Sequence, residues 1–325
     1  MRILVTGGAG FIGSHYVRSL LSGTYDAFAD AEVTVYDKLT YAGNLSNLAT
    51  VSDDPRFTFV LGDIVDADRL DDVLPGHDAV VNFAAETHVD RSIAGAADFV
   101  MTNVVGVQTL LDACLRVGVP RVVHVSTDEV YGSVEDGASV ETDPLEPNSP
   151  YAAAKAAGDL LARAYSVTHG LDVSVTRCTN NYGPFQFPEK LIPLFITNLM
   201  DGRRVPVYGD GLNVRDWLHV DDHCRGVQLV LESGRAGEVY NIGGGTPLSN
   251  LEVTEALAAQ FGVPLADAVE YVEDRKGHDR RYCLSDDKLR ALGYRPRRSF
   301  VEGLAETVQW YREHEDWWRP LRAMV

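Results

Sequence analysis

Gly7-Gly8-Ala9-Gly10-Phe11-Ile12-Gly13 stands directly behind an apolar run, Ile3–Thr6, and opens a helical pattern, Phe11–Leu21. Glycines at 7, 10 and 13 permit a tight turn, close approach of a pyrophosphate, and close helix–sheet packing. A helix starting there presents backbone amides and the positive end of its dipole to phosphate. The spacing is one residue longer in its first step than G-x-G-x-x-G. Glycines also serve ordinary turns. The strand before and the helix after are what point to a dinucleotide-binding unit.

The chain continues in the same rhythm. Val33–Tyr36, Phe57–Leu61, Ala79–Ala84, Val122–Ser126 and Val173–Arg177 are short apolar runs that read as buried parallel strands. Ala67–Val73, Ala94–Val117 and Tyr151–Thr168 carry helical patterns between them. This alternation predicts an α/β fold, a Rossmann-type doubly wound parallel sheet. Near Asn180 the rhythm changes. Segment 181–217 is rich in Pro, Gly and aromatics, with a helix expected from Leu191 to Asp201. Further helices are expected at His219–Leu231, Leu251–Phe261, Asp287–Leu292 and Val301–Trp310, with a strand at Val239–Ile242. We therefore expect a dinucleotide-binding domain over 1–180 and a smaller α/β substrate-binding lobe over 181–325, with the chain returning to the first domain around 219–245.

Composition narrows the partners. Of 325 residues, 29 are Lys or Arg and 47 are Asp or Glu, a formal charge of −18. Such a chain repels nucleic acid and anionic membranes. Any anionic ligand must meet basic groups gathered locally. No apolar run approaches 18 residues, so no membrane span is expected. The first glycine comes too early for a signal peptide. Cys114, Cys178, Cys224 and Cys283 are widely spaced and match no metal-ligand pattern. Reduced thiols, a cytoplasmic location and no metal site are the expectation.

Asp37 ends the second strand, 24 positions after Gly13. A carboxylate there accepts from the adenosine ribose hydroxyls and repels a 2′-phosphate, favouring NAD over NADP. The adjacent Lys38 weakens that exclusion. Asp63 and Ile64 follow the third strand, in reach of an adenine. Ala84 and Ala85 follow the fourth and leave room for the dinucleotide, although small residues also serve packing.

Asn148-Ser149-Pro150-Tyr151 begins a helix in which Ser149 is a suitable cap and Pro150 a suitable first residue. Tyr151 and Lys155 are four apart and share a face. The lysine's charge and the positive helix end stabilise a phenolate. Tyr151 is then a base for an alcohol or sugar hydroxyl, and Lys155 also holds the nicotinamide ribose.

The glycine loop, the acidic ribose position and Tyr-x-x-x-Lys resemble the extended short-chain dehydrogenase/reductase family over almost the whole chain. The resemblance implies a Rossmann-type NAD domain and a C-terminal lobe for a nucleotide sugar. After the fifth strand, Ser126-Thr127-Asp128-Glu129-Val130-Tyr131-Gly132 sets Thr127 where the family hydrogen-bonds the reacting oxygen. Asp128 and Glu129 would point to opposite faces of an extended strand. For both to reach one substrate, the strand must end at about Thr127 and the backbone must turn. Paired carboxyls in unlike environments divide into an acid and a base. A solvated acidic turn is the plainer alternative.

Thr127-Asp128-Glu129 with Tyr151 and Lys155 is similar to the active site of the dTDP-glucose 4,6-dehydratases within that family. Agreeing stretches are Ala85–Ser92, Asn180–Pro184, Phe187–Pro193, Val207–Gly211, Arg215–Asp222 and Asp274–Asp279, with Lys276 departing where proline is expected. The resemblance implies that Tyr151 deprotonates the C4 hydroxyl, NAD takes the C4 hydride, and Thr127 holds the C4 oxygen. Glu129 then removes the C5 proton and Asp128 protonates the departing C6 hydroxyl. The hydride returns to C6, so NAD is regenerated and stays bound. Thr40, Thr102 and Asn181 join the implied cofactor set. Lys190, Arg215 and Arg275 are implied for the diphosphate, and Tyr208 for stacking on thymine, although an aromatic in a strand more often packs in a core. Thr87, His88, Asn180, Glu189, Leu191, Pro206, Val207, Asn250 and His278 complete the implied substrate set. His88 has a structural reading as well. Relatives pair the Ala94–Val117 and Tyr151–Thr168 helices across a dyad, which implies a homodimer. A UDP-sugar 4-epimerase, a dehydratase of UDP- or GDP-sugars and a non-catalytic NAD-sensing protein are the competing readings. The adjacent acids argue against the first, and intact Tyr, Lys and acids against the last.

Overall fold

A computed structural model describes residues 1–323. Seven strands form one parallel sheet: β1 Arg2–Thr6, β2 Glu32–Asp37, β3 Phe57–Leu61, β4 Ala79–Asn82, β5 Arg121–Thr127, β6 Val173–Cys178 and, out of sequence, β10 Val239–Ile242. The order is β10-β6-β5-β4-β1-β2-β3. Ile3 of β1 lies beside Val33 on one side and Ala79 on the other. The order therefore reverses between β1 and β4. A crevice at the carboxyl ends of those two strands is where such a sheet binds its ligand. The glycine loop and Ala84-Ala85 both emerge there.

Helices cover both faces: α1 Phe11–Leu21, α2 Ala67–Val73, α3 Val89–Ala94, α4 Ala97–Val100, α5 Val107–Val117, α6 Pro150–His169 and, later in the chain, α8 Val220–Ser233. One face buries Tyr16, Val17 and Leu20 of α1 with Cys224, Val227 and Val230 of α8. The other buries Leu70, Leu110, Leu111 and Ala162. A second core gathers Ile192 and Phe195 of α7 (Leu191–Met200) with Leu257, Tyr311 and Trp318. The smaller lobe adds β7 Asn180–Tyr182, β8 Val205–Tyr208, β9 Val214–His219, β11 Pro247–Ser249 and β12 Val269–Val272, in two small sheets of order β11-β9-β7 and β12-β8.

One expectation needs correction. The helix foreseen over Ala94–Val117 is interrupted. α3 ends at Ala94 and its successor starts at Ala97, with a π-helical turn over Met101–Gly106. The wider turn buries Thr102 and Asn103, and Asn103 exchanges two hydrogen bonds with the backbone of Glu86. Helix Ala97–Val117, taken whole, is 21 residues long and apolar enough in composition to span a membrane. Here it packs beside α6 and α2 as part of the layer over the sheet.

A buried polar chain ties α6 to the strands. Arg177 of β6 donates to Asp159 of α6 at 2.9 Å and to the Tyr131 hydroxyl at 2.8 Å. That hydroxyl donates to Asn241 of β10 at 2.9 Å. All four side chains are buried. Removing one partner leaves a buried charge unpaired, so Arg177→Met should lower unfolding stability by about 3–5 kcal/mol in urea titration, and Arg177→Met/Asp159→Leu should recover a large part of that loss.

Candidate active site

The glycine loop has the geometry its composition demands. Gly7 has φ +65°, and a Cβ there would lie 2.6 Å from the Ala84 amide nitrogen. A Cβ on Gly13 would lie 2.3 Å from the Gly7 carbonyl oxygen. Gly10 caps α1 with no side-chain hydrogen bond, so the helix's first amides remain available to an anion. Gly7, Gly10, Phe11, Ile12 and Gly13 line one wall of a deep cleft. Asp37, Lys38, Thr40, Asp63, Ile64, Ala84, Ala85, Thr102 and Asn181 line the rest of it with Tyr151 and Lys155. An uncapped helix end, a side-chain-free loop and an acidic residue at the second strand's end fit an adenine dinucleotide.

Asp37 does more than the sequence suggested. Its Oδ2 accepts from the Ala9 amide at 2.9 Å and its Oδ1 from the Leu39 amide at 2.8 Å. The carboxylate thus holds the glycine loop to the loop after β2, and each oxygen keeps a further lone pair for a ribose hydroxyl. Lys38 reaches away, to 3.4 Å from Asp63 Oδ2 and 3.3 Å from the Thr102 hydroxyl. Asn181 is occupied at both ends of its amide, accepting from buried His223 at 3.0 Å and donating to the Thr179 carbonyl at 2.9 Å.

β5 ends at Thr127, and Asp128–Tyr131 form a 3-10 turn. That is the turn required for adjacent acids to reach one cleft. Thr127 Oγ1 accepts from the Glu129 amide at 3.3 Å and donates to Asp128 Oδ1 at 3.2 Å. Asp128 Oδ2 is buried without a partner. Burial, and then the charge of Glu129, push the Asp128 carboxyl well above the usual range. Burial raises Glu129 too, but Arg215, Lys190 and Arg275 pull it back. Both carboxyls are raised, Asp128 well above the usual range, while at Glu129 the three cations oppose the burial.

Ser149 accepts from the Ala152 amide and Pro150 opens α6, which sets Tyr151 in the first turn with its amide on Ser92. Burial, then Glu129's charge, raise the Tyr151 phenol, while the Thr127 hydroxyl lowers it. The Lys155 ammonium donates to the Val125 carbonyl at 2.7 Å.

A second crevice opens beside the first. Thr87, Glu129, Asn180, Glu189 and Lys190 line both, which places Glu129 at their junction. Its other walls include His88, Leu191, Pro206, Val207, Tyr208, Arg215, Asn250, Arg275 and His278. Buried acceptors Asn180 Oδ1, Asn250 Oδ1 and Glu189 Oε1 lack partners there. The cations are held by backbone and carboxylates. Lys190 donates to the Thr87 carbonyl, Arg215 to that of Asp279, and Arg275 lies 2.7 Å from Asp90. Tyr208 faces the crevice with Arg275 over its ring and His278 at its edge. His88 serves both of its readings, capping α3 while lining the crevice, and burial and then Lys190 push it down to about 4.

Several lining residues escaped the sequence reading. Tyr41, Gln186 and Phe187 line the cofactor cleft, and Tyr282 lines the second crevice with Arg215 stacked 4.3 Å over its ring. Tyr282 donates to Asp279. Phe187 sat in a matched stretch, Tyr41 stands beside the implied cofactor residue Thr40, and Tyr282 lies three residues beyond the matched stretch Asp274–Asp279.

The family described as GDP-mannose 4,6 dehydratase matches residues 4–307. A dTDP-glucose 4,6-dehydratase from Streptomyces niveus is 62% identical over 99% of this chain and 96% of its own length. This chain belongs to the dTDP-glucose 4,6-dehydratase family. The crystal structure of DesIV, a dTDP-glucose 4,6-dehydratase from Streptomyces venezuelae with NAD and TYD bound, superposes with TM-score 0.97 at 63% identity, covering 99% of this chain and 100% of that one. The Thermus thermophilus UDP-glucose 4-epimerase complex with NAD shares the fold at TM-score 0.86 and 34% identity, covering 97% and 100%. A dTDP-glucose 4,6-dehydratase fold is thus one that epimerases share, and the Asp128–Glu129 turn is the chemistry to test.

Asp128 gives a signed prediction. The unfolded chain ionises this carboxyl in the usual range, while the folded protein keeps it protonated to higher pH. Below the usual range both states hold the proton. Above it the unfolded state alone gains by ionising, so this group lowers stability as pH rises toward its folded value. Asp128→Asn should raise the urea midpoint at pH 8, with the gain shrinking toward pH 4.

Proposed function

We propose that this protein is an NAD-dependent dTDP-glucose 4,6-dehydratase, a hydro-lyase that converts dTDP-glucose to dTDP-4-keto-6-deoxyglucose and water. The observation that carries the reading is the pair of adjacent acids, turned onto one cleft and held in unlike environments. When bound in the glycine-loop cleft, NAD supplies the hydride acceptor for C4 and the hydride donor for C6, and is unchanged over the cycle.

The chain's own residues handle the protons. Tyr151 takes the C4 hydroxyl proton, with Thr127 hydrogen-bonded to that oxygen. A C4 ketone acidifies the C5–H bond. Glu129, with Arg215, Lys190 and Arg275 favouring its carboxylate, removes the C5 proton. Asp128, kept protonated by burial, gives its proton to the C6 hydroxyl, which leaves as water. C5 regains a proton at the end. Lys190, Arg215 and Arg275 offset the diphosphate against a net charge of −18.

Two copies pair through the α5 and α6 helices. Leu160 and Val167, two turns apart on α6, are 57% and 74% exposed, and Val100 and Met101 are exposed nearby in sequence to α5. Leu160→Glu/Val167→Glu should convert a dimer to a monomer in sedimentation velocity. All four cysteines are free, which suits a reducing cytoplasm.

The deciding experiment is mass spectrometry of the nucleotide sugar after incubation with dTDP-glucose, with UDP-glucose in parallel. Loss of one water from the thymidine substrate alone, and one deuterium at C5 in heavy water, are expected. An unchanged mass with a new stereoisomer would establish a 4-epimerase, the reading that the Thermus thermophilus neighbour favours. Glu129→Gln should slow turnover by about 10²–10⁴-fold and leave a persistent reduced-nicotinamide absorbance. Tyr151→Phe should slow it comparably with no such absorbance.

A further inference from the structure

Among the described residues, Leu39 and Phe185 are the two non-glycine residues with positive φ, at 55° and 67°. Side chains rarely adopt that conformation, and it persists where surrounding structure holds it. Leu39 is held by Asp37, which accepts from its amide. Phe185 is held by Arg18 over its ring at 4.2 Å and by Trp310 and Trp317 against its faces and edge. Each strained residue stands two positions before an aromatic that lines the cofactor cleft, Tyr41 and Phe187. These two rings meet edge to face at 5.5 Å. The loop after β2 and the segment before α7 therefore meet across the cleft.

One residue joins the parts of that contact. The Arg91 guanidinium lies 3.9 Å over the Tyr41 ring and pairs with Glu189 at 3.0 Å. Arg91 lines neither crevice, whereas Tyr41 lines the first and Glu189 both. The Glu189 side chain is 4% exposed, and its other oxygen, Oε1, is buried without a partner at the junction of the crevices.

We propose that Arg91 is a positioning residue that clasps Tyr41 to Glu189 and so retains the dinucleotide in its cleft between turnovers. The inference rests on the cofactor reading above. A cofactor restored at the end of every cycle has no need to leave, and the glycine loop grips only its pyrophosphate. The stack on Tyr41 closes the cleft, and the ion pair couples that closure to a side chain the sugar nucleotide touches. Occupancy of the second crevice then slows cofactor escape further.

The test is exchange of bound NAD for isotopically labelled NAD in the full-length protein, followed by mass spectrometry with and without thymidine diphosphate. Arg91→Ala and Tyr41→Ala should each speed exchange by about threefold or more, the loss of a cation–π contact whose guanidinium is partly exposed. Arg91→Lys, which keeps the charge without the planar stack, should fall between, and Tyr41→Phe should restore slow exchange. Thymidine diphosphate should slow exchange in the wild type and lose that effect in Arg91→Ala. A ring that matters only for folding would not be rescued this way in a kinetic readout. Wild-type protein that binds no NAD would overturn the cofactor reading, and the clasp with it. Wild-type protein that retains NAD, with exchange in both alanine variants no faster than in the wild type, would overturn the clasp alone.

Discussion

The buried pair of Arg177 and Asp159 is the constraint on which the rest of the site depends. It joins the sixth strand to the helix that carries Tyr151 and Lys155, one turn beyond the lysine. Through the Tyr131 hydroxyl the same guanidinium reaches the end of the turn that carries Asp128 and Glu129, and through Asn241 the last strand of the sheet. Buried ion pairs contribute little net stability once desolvation is counted, and apolar replacements of the same shape often do as well. What this one supplies is geometry. A phenol, a threonine and two carboxyls arise from separate segments, and the angular tolerance for proton transfer is small. A chain of directed hydrogen bonds holds those segments in one relation that apolar packing alone leaves free to slide.

The electrostatics follow from that placement. A protein of charge −18 repels a nucleotide diphosphate at long range, and salt screens the effect beyond about 10 Å. Inside the crevice the sign is reversed, because Lys190, Arg215 and Arg275 converge where Asp128 is sealed and Glu129 is half-buried. The same three cations thus serve two ends. In the proposed reaction they attract the diphosphate, and they oppose the burial that raises Glu129 while Asp128 is held well above the usual range. Each cation already carries a backbone or carboxylate partner, so the ligand meets side chains that are largely ordered beforehand.

Much of this was legible in the sequence because it is local. The glycine loop, the Ser149-Pro150 helix start and the end of the fifth strand at Thr127 depend on neighbours a few residues away. The α1 and α2 boundaries, Phe11–Leu21 and Ala67–Val73, are the ones read from periodicity. What periodicity does not carry is a change of helical pitch. The apolar pattern over Ala94–Val117 continues through the π turn, yet that turn is what delivers Thr102 to the cleft and Asn103 to the Glu86 backbone. Nor does proximity in sequence locate Tyr41, Arg91 and Tyr282. Their neighbours come from segments far along the chain, and only the closed sheet brings them together. Lys155 shows a related limit: its spacing from Tyr151 was plain, but its hydrogen bond to the Val125 carbonyl comes from a strand far along the chain.

Three unsatisfied groups lie where the two crevices meet. Asp128 Oδ2, Asn180 Oδ1 and Glu189 Oε1 are buried without partners among the described residues, each carrying a desolvation cost of about 1–3 kcal/mol. Leu39 and Phe185 add backbone strain at the two segments that cross the cleft. Elsewhere the strands and helices around the site have ordinary cores, with Ile3, Val81 and Val123 wholly buried beneath the glycine loop and Thr127. The distribution has a simple physical reading. An elimination between two redox steps needs one acid and one base side by side, in a space that excludes water and keeps its cofactor. In the proposed reaction, buried acceptors such as Asn180 Oδ1 and Glu189 Oε1 are open to the sugar's hydroxyls. Binding energy gained there falls beside the groups that move protons, which is where it accelerates chemistry rather than merely tightening the complex.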